Sequence, residues 1–176
     1  ILSDKSILSY LEQGRVIIEP FNRKHLNTSS YDVTLGEYYF REQPLEHHIS
    51  KIYNIYDNES VKKIWGQPQI AMKYKDYKNQ GIVLDNFEDD DKIIWIGPNE
   101  RILAHTNEYI GGVESVTTMM KSRSSIGRNF LDMCSDAGWG DVGYFNRWTM
   151  EIHNNSMTRS IPLKVGTRVA QIIFME

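Results

Sequence analysis

The chain has 176 residues, of which 40% are hydrophobic and 24% charged, with a formal net charge of −3. A chain of this size can bury one hydrophobic core, which predicts a single domain over residues 1–176. The weak negative charge argues against a broad nucleic-acid surface, which usually needs a basic face. One cysteine excludes an internal disulfide, and no apolar run is long enough for a membrane span, so we expect a cytoplasmic protein without a membrane or nucleic-acid partner.

A short helix is predicted at the N-terminus. Ser3 can cap it, Asp4 lies in its first turn, and Gly14 stands where it should end. Three consecutive β-branched residues then predict a strand over Arg15–Glu19. Residues 30–35 alternate between apolar and polar side chains, which indicates a second strand, and Gly36 is expected to break it.

Residues 41–91 form a predicted insertion, rich in tyrosine and lysine, with a helical pattern at Asn58–Trp65. Lysines interleaved with tyrosines can suit single-stranded nucleic acid, but side chains covering a small surface hairpin or helix explain the same composition and are preferred. His47 and His48 are interpreted as surface residues. An acidic run over residues 85–91 can hold a hard cation; a solvated loop is the preferred interpretation.

The rest of the chain reads as short strands separated by turns. Regular short strands with Gly and Pro between them predict an all-β barrel or sandwich. The predicted strands are Lys92–Ile96, Arg101–Thr106, Val116–Lys121, Arg147–His153 and Thr167–Met175, with a turn at Gly97–Glu100.

A cluster of cations and hydroxyls follows the third of these strands. It consists of Lys121, Arg123 and Arg128 with Ser124 and Ser125 between them. Guanidinium forks and small hydroxyls suit phosphate oxygens, and each charge-assisted bond contributes about 1.5–3 kcal/mol. The pattern therefore predicts an anion-binding turn.

A glycine-rich loop and a strand come next. The loop Ala137–Gly143 contains three glycines and Asp141, so its backbone can approach a ligand closely. In the strand Arg147–His153, apolar and polar residues alternate and Glu151 falls on the polar face. A lone glutamate in such a place is most simply a solvent-facing carboxylate; its nearness to the anion-binding turn and the glycine loop favours a site.

Several segments together resemble the dCTP deaminase family, which belongs to the trimeric dUTPase superfamily. The resemblance implies a distorted β-barrel (β-clip) of the dUTPase-like type, with a short N-terminal helix and a central insertion. It is carried by Ser122–Arg128 (SRSSIGR), Ala137–Tyr144 (AGWGDVGY), Thr149–Asn154 (TMEIHN), Val165–Phe174 (VGTRVAQIIF), Ile1–Leu8 (ILSDKSIL), Gly14–Phe21 (GRVIIEPF) and Ser29–Gly36 (SSYDVTLG). For residues from about 41 to 91, the motifs give no match.

The resemblance implies hydrolytic deamination of dCTP to dUTP and ammonia. Glu151 would be the general acid/base. Ser124 and Arg128 would hold the attacking water and polarise the ring, and the carbonyl of Ala137 would accept from that water. Asp32 resembles the aspartate of the superfamily's first motif; a structural carboxylate bonded to nearby backbone is the alternative.

The resemblance also implies the binding residues and partners. Mg²⁺ would accompany the triphosphate, the protein would be a homotrimer with shared sites, and dTTP is a possible feedback inhibitor. Zinc is not expected, because the H-x-E and P-C-x-x-C elements of zinc deaminases are absent. Substrate binding is assigned to Arg123, Ser124, Ser125, Ile126, Gly127, Arg128, Asp141, Thr149, Met150 and Gln171. For Gln171, a bond to backbone and a contact with base or sugar stay open.

Two other functions stay open. The first is a dUTPase, or a bifunctional enzyme that gives dUMP and diphosphate, with Asp141 activating water at the α-phosphate. The second is a non-catalytic nucleotide-binding module. Degraded motifs would favour the module, and the glycine loop departs from the family at Gly140, Val142 and Asn146, where a bulky apolar residue, a proline or small residue, and a glycine are usual.

Overall fold

The structure is a computed structural model that describes residues 1–44 and 51–176, so His47 and His48 lie outside the described residues. The helices are α1 (Asp4–Glu12), α2 (Asn58–Trp65), α3 (Tyr74–Lys78) and α4 (Ser124–Gly127), with a 3-10 turn at Arg23–His25. The strands are β1 (Val16–Glu19), β2 (Tyr31–Arg41), β3 (Gln69–Ile70), β4 (Met72–Lys73), β5 (Lys92–Ile96), β6 (Arg101–Gly112), β7 (Thr117–Ser122), β8 (Leu131–Asp132), β9 (Trp139–Gly140), β10 (Phe145–Asn154), β11 (Ile161–Lys164) and β12 (Arg168–Met175). The all-β prediction is confirmed.

The strands form one large curled sheet and one small sheet. The large sheet has nine strands, with the order β8-β10-β6-β2-β12-β7-β9, while β1 pairs with β6 and β3 with β2. The small sheet has the order β11-β5-β4. Because β8 and β9 are the two ends of the large sheet and are joined by residues 133–138 alone, the sheet must curl and bring its ends towards each other. The result is a half-barrel.

The N-terminal helix forms where it was predicted. Ser3 caps α1, its Oγ accepting the backbone N–H of Ser6 at 3.2 Å, and Ile7 is fully buried against the sheet. Of the helices in the described residues, none is long and apolar enough to cross a membrane.

Strand β2 does not stop at Gly36, so that prediction is wrong. It continues to Arg41 because Gly36 gives room to the His105 ring: a Cβ there would lie 2.0 Å from the imidazole. The ring fills an irregularity in the β2–β6 pairing between Leu35 and Tyr39, where its Nε2 accepts the N–H of Tyr38 at 3.3 Å. Glycine serves here for close approach.

Within the described residues, the acidic run makes two ion pairs inside residues 51–91 and one ion pair to the rest of the fold. Helix α2 forms as predicted, and β3 and β4 add to the edges of the two sheets. The acidic run is exposed as expected, yet three of its carboxylates are ion-paired: Asp90 with Lys73 at 2.6 Å, Asp89 with Lys78 at 2.9 Å, and Asp91 with Lys164 of β11. The hydrogen bond from Lys164 lowers the pKa of Asp91. The two exposed pairs, Asp90 with Lys73 and Asp89 with Lys78, contribute little to stability because water screens them.

The unusual Gly140 has a packing explanation. A Cβ at Gly140 would lie 2.2 Å from Oγ1 of Thr118 and 2.5 Å from the ring of Trp148. Trp148 is 2% exposed, and its indole N–H donates to the Ile110 carbonyl at 2.8 Å. The tryptophan therefore occupies the volume that a bulky residue at position 140 would need, and the loop departs from the family pattern without leaving a cavity.

Candidate active site

The anion-binding turn lies directly after β7. Helix α4 is a single turn whose backbone bonds run from Ile126 and Gly127 to the Arg123 carbonyl, both at 2.9 Å. Ser124, Ser125, Gly127 and Arg128 are exposed, whereas Ile126 packs partly against the core. The turn therefore presents hydroxyls, a guanidinium and backbone to a ligand, and Ile126 can contribute only its backbone.

A buried carboxylate fixes one end of this turn. Asp32 on β2 is 1% exposed and accepts three side-chain contacts: Oδ1 from Asn27 Nδ2 at 3.0 Å, and Oδ2 from Arg123 Nε at 3.1 Å and from Arg168 Nη1 at 3.3 Å. The alternative of a carboxylate bonded to nearby backbone is wrong, because these partners are side chains. A buried charge needs such partners to offset its desolvation.

A second buried carboxylate supports the same strand. Glu108 on β6 is 4% exposed, and its two oxygens accept the backbone N–H of Thr34 at 2.9 Å and the Thr34 hydroxyl at 2.8 Å. Thr34 is the β-sheet partner of Arg168 in β12. Glu108 therefore fixes β2 at Thr34, the residue that pairs with Arg168 of β12.

Glu151 is anchored on the loop that joins β8 to β9. The alternation predicted for its strand is confirmed, since Trp148, Met150 and Ile152 are buried and Glu151 is partly exposed. Its Oε2 accepts the backbone N–H of Asp136 at 2.9 Å and of Ala137 at 3.2 Å. These two bonds set the direction of the carboxylate, and they bring Ala137 to Glu151 through its N–H.

Polar residues line a cleft beside this loop. The cleft has a volume of about 530 Å³ and is lined by Arg101, Lys121, Ser122, Asp132, Cys134, Ser135 and His153. Burial, and then the negative charge of Glu151, raise the pKa of the Cys134 thiol to about 11. The thiol is therefore protonated at neutral pH, and it senses the charge of Glu151.

The remaining predicted residues lie in three places. Thr149 lines an apolar cavity of about 210 Å³ in which Tyr38 and His105 stack, their ring centroids 6.1 Å apart. Met150 is fully buried, so only its backbone can meet a ligand. Asp141 is exposed on the glycine loop.

Alternation along the strand Thr167–Met175 predicts that Gln171 shares a face with Val169 and Ile173, and the structure differs in one of these neighbours. An irregularity between Arg168 and Ala170 turns Val169 into the core. Gln171 therefore shares a partly exposed face with Ile173 and not with Val169. Its neighbours in the sheet are Asp32 and Lys121.

The site residues form two groups. Arg123, Ser124 and Arg128 belong to the turn after β7, while Glu151 belongs to the group around Ala137. Within residues 1–44 and 51–176, no hydrogen bond or ion pair joins Glu151 to Ser124 or Arg128. In the same ranges, no group of three or more His, Cys, Asp or Glu residues is placed to hold a metal ion.

Three residues of the region escaped the sequence analysis. Arg168 lies within a segment that carries the resemblance, but its own role was not recognised. Glu108 and His105 sit in a strand that was predicted to end at Thr106. Their partners are on β2, and a local pattern does not reveal such cross-strand contacts.

The curled antiparallel sheet defines an all-β half-barrel protein, and the arginine–serine turn and the anchored strand carboxylate are its candidate functional groups. The structure of 2′-deoxycytidine 5′-triphosphate deaminase from Agrobacterium tumefaciens shares the fold, with a TM-score of 0.62 and 15% identity over 99% of this chain. This chain spans 47% of that protein.

The family model described as dCTP deaminase-like matches residues 1–176, and the chain belongs to this family. It is 32% identical over 174 residues to "dCTP deaminase, dUMP-forming" of Methanococcus maripaludis, covering 99% of this chain and 80% of the relative. The protein of the same name from Methanocaldococcus jannaschii is 30% identical over 174 residues, with 99% and 81% covered. The resemblance stated from the motifs is confirmed.

Cys134 offers a test of the charge on Glu151. In Glu151→Gln a negative charge that raises the pKa of the thiol is lost, so that pKa should fall, while burial should keep it above its ordinary value. The rate of iodoacetamide alkylation, followed from neutral pH to about pH 11, should therefore rise at lower pH in Glu151→Gln than in the wild type. The exposed Glu12→Gln is the matched control, and coinciding profiles for all three proteins would contradict the arrangement.

Proposed function

We propose that this chain deaminates dCTP, with Glu151 as the general acid/base. The observation that carries the proposal is the position of Glu151: it projects from β10 beside a polar cleft, with its carboxylate aimed by the N–H groups of Asp136 and Ala137. The loop that anchors Glu151 also contributes Cys134 and Ser135 to the lining of this cleft, and a carboxylate held in one direction near a ligand can serve as a general acid/base. Membership of the dCTP deaminase-like family supports the choice of reaction.

The substrate would lie across both groups of residues. Arg123, Ser124 and Ser125 would bind phosphate oxygens, which is supported by the exposure of both serines on α4 and the partial exposure of Arg123 beside it. Ile126 and Gly127 would form the wall of this phosphate site, because their N–H groups already donate to the Arg123 carbonyl. The sugar and base would be placed by Asp141, by Thr149 and the backbone of Met150, and by Gln171.

The chemistry requires two proton movements. Water adds to the ring carbon that bears the amine while Glu151 takes a proton from it and passes that proton to the ring nitrogen. The bond from carbon to the exocyclic nitrogen then breaks, that nitrogen takes the second proton, and ammonia leaves a uracil ring. Ser124, Arg128 and the Ala137 carbonyl would hold the water and the developing charge.

We further propose that dUMP is the final product. The motif resemblance implies dUTP as the product, but the curated relatives are named dUMP-forming. These names favour the bifunctional alternative. Asp141 is exposed on the glycine loop, where its carboxylate would be within reach of a bound nucleotide. Loss of diphosphate would then follow deamination in the same site.

Mg²⁺ would enter with the nucleotide. The described side chains do not form a metal cage, and Asp32 is engaged by two arginines. The phosphate oxygens and water would therefore supply most of the ligands, as is usual for this ion. The task of this chain is to bind the phosphates that carry it.

We also propose that the site is shared between subunits of a homotrimer. Glu151 is anchored in one group of residues and Ser124 and Arg128 in another, without a bond between them in the described part of the chain. A head-to-tail ring of three copies would place the turn of one subunit against Glu151 of the next. Each site would then be complete.

Replacing the carboxylate tests the proposed chemistry. Glu151→Gln keeps the size and hydrogen-bonding reach of the side chain but cannot move a proton, so ammonia release from dCTP should fall on the order of 10²-fold or more. Binding of dCTP should survive, and Glu12→Gln should behave as the wild type. A Glu151→Gln protein that deaminates at the wild-type rate would sink the proposal.

The same assay separates the two carboxylates. Asp141→Asn should abolish dUMP while ammonia release continues with a higher KM, because a sugar contact is made in both ground and transition states. If wild-type protein binds dCTP and releases neither ammonia nor diphosphate, the nucleotide-binding module is the correct alternative.

Mixed trimers test the shared site. Glu151→Gln and Arg128→Ala subunits, each nearly inactive alone, should regain activity when co-expressed with different tags and purified as mixed trimers. If each site takes Glu151 from one subunit and Arg128 from its neighbour, every mixed trimer has one complete site, which is about a third of its sites. Mixed trimers without recovery would show that both residues act from one subunit, and an active monomer by light scattering would exclude the trimer.

A further inference from the structure

We propose that Arg168 is a second phosphate-binding arginine, which shares the buried carboxylate of Asp32 with Arg123 and extends the anion-binding turn to β12. This inference rests on the proposed function, because it assumes that the turn after β7 binds the phosphates of a nucleotide. It adds a residue that the motif analysis did not assign.

The charge balance around Asp32 is the first argument. Asp32 carries one negative charge and is 1% exposed, while Arg123 and Arg168 carry one positive charge each and both contact its Oδ2. One arginine is enough to neutralise a buried carboxylate. The second guanidinium has no carboxylate contact of its own, since no other carboxylate in residues 1–44 and 51–176 contacts either guanidinium.

The direction of the two side chains is the second argument. Arg123 uses Nε for Asp32 and Nη1 for the Arg168 carbonyl at 3.4 Å, and Arg168 uses Nη1 for Asp32. Across the described ranges, the Nη2 groups of both arginines are without an acceptor. The side chains are 29% and 41% exposed, so the free edges of two planar forks are available to a tetrahedral anion.

The rigidity of the position is the third argument. Arg168 pairs in the β-sheet with Thr34, and Thr34 is gripped through its N–H and its hydroxyl by the buried Glu108. The arginine therefore projects from a fixed backbone. Pre-organised donors bind charge without an ordering cost at the moment of binding.

These features define the ligand as an oligophosphate. Arg123 and the serines of α4 would hold one phosphoryl group, and Arg168 would hold its neighbour. A triphosphate would therefore gain more from Arg168 than a monophosphate would.

Binding of inorganic tripolyphosphate tests the proposal directly. Titration calorimetry should show affinity about 10- to 100-fold weaker in Arg168→Gln, the loss expected for one charge-assisted contact. Arg168→Lys should recover part of it, because lysine keeps the charge but not the fork. Arg159→Gln, an exposed arginine outside the site, is the matched control and should bind as the wild type.

A second comparison excludes an indirect role. If Arg168 acted only by holding Asp32 and so Arg123, Arg168→Gln would have no further effect in an Arg123→Lys background, and dCTP and dCMP would lose affinity equally. Direct binding predicts a similar loss in both backgrounds and a larger loss for dCTP.

The proposal would be overturned if Arg168→Gln lost affinity only in the protein that keeps Arg123 and not in Arg123→Lys. It would also be overturned if Arg168→Gln bound tripolyphosphate within about twofold of the wild type. Tripolyphosphate binding needs no deamination, so failure of the proposed function would be seen separately.

Discussion

The arrangement depends on the buried carboxylate of Asp32. A charge at 1% exposure must be offset by partners, and its partners come from the end of β7 and the start of β12, elements far apart in the chain. The requirement to neutralise Asp32 therefore places Arg123, and with it the turn that carries Ser124. In this way an electrostatic constraint inside the sheet determines where an anion-binding surface forms outside it.

The closure of the sheet determines where the second group of residues lies. Residues 133–138 connect the two ends of the curled sheet, and their N–H groups at Asp136 and Ala137 set the direction of Glu151. The same loop carries Cys134, and the pKa of its thiol is raised first by burial and then by the negative charge of Glu151. The loop that connects the ends of the sheet therefore also orients the proposed acid/base.

The sequence predicted what is local and missed what crosses the sheet. The cap of α1, the bounds of α2 and β5 and the alternation around Glu151 follow from nearest-neighbour patterns, and they were confirmed. The sequence pattern predicts a strand end at Gly36. This prediction fails because the ring that packs against Gly36 belongs to His105 on another strand. The contacts of Arg168 and Glu108 likewise depend on registry between β2, β6 and β12. The Gly140 departure needed the packing of Trp148 to be explained.

The most direct test of the account is the fate of dCTP with the wild-type protein and Mg²⁺. A time course should resolve dCTP, dUTP, dUMP, dCMP and ammonia. We expect ammonia and dUMP to rise together in equal amounts, with dUTP appearing at most transiently. Unchanged dCTP, or its hydrolysis to dCMP without ammonia, would contradict the assignment of Glu151 to proton transfer at the cytosine ring.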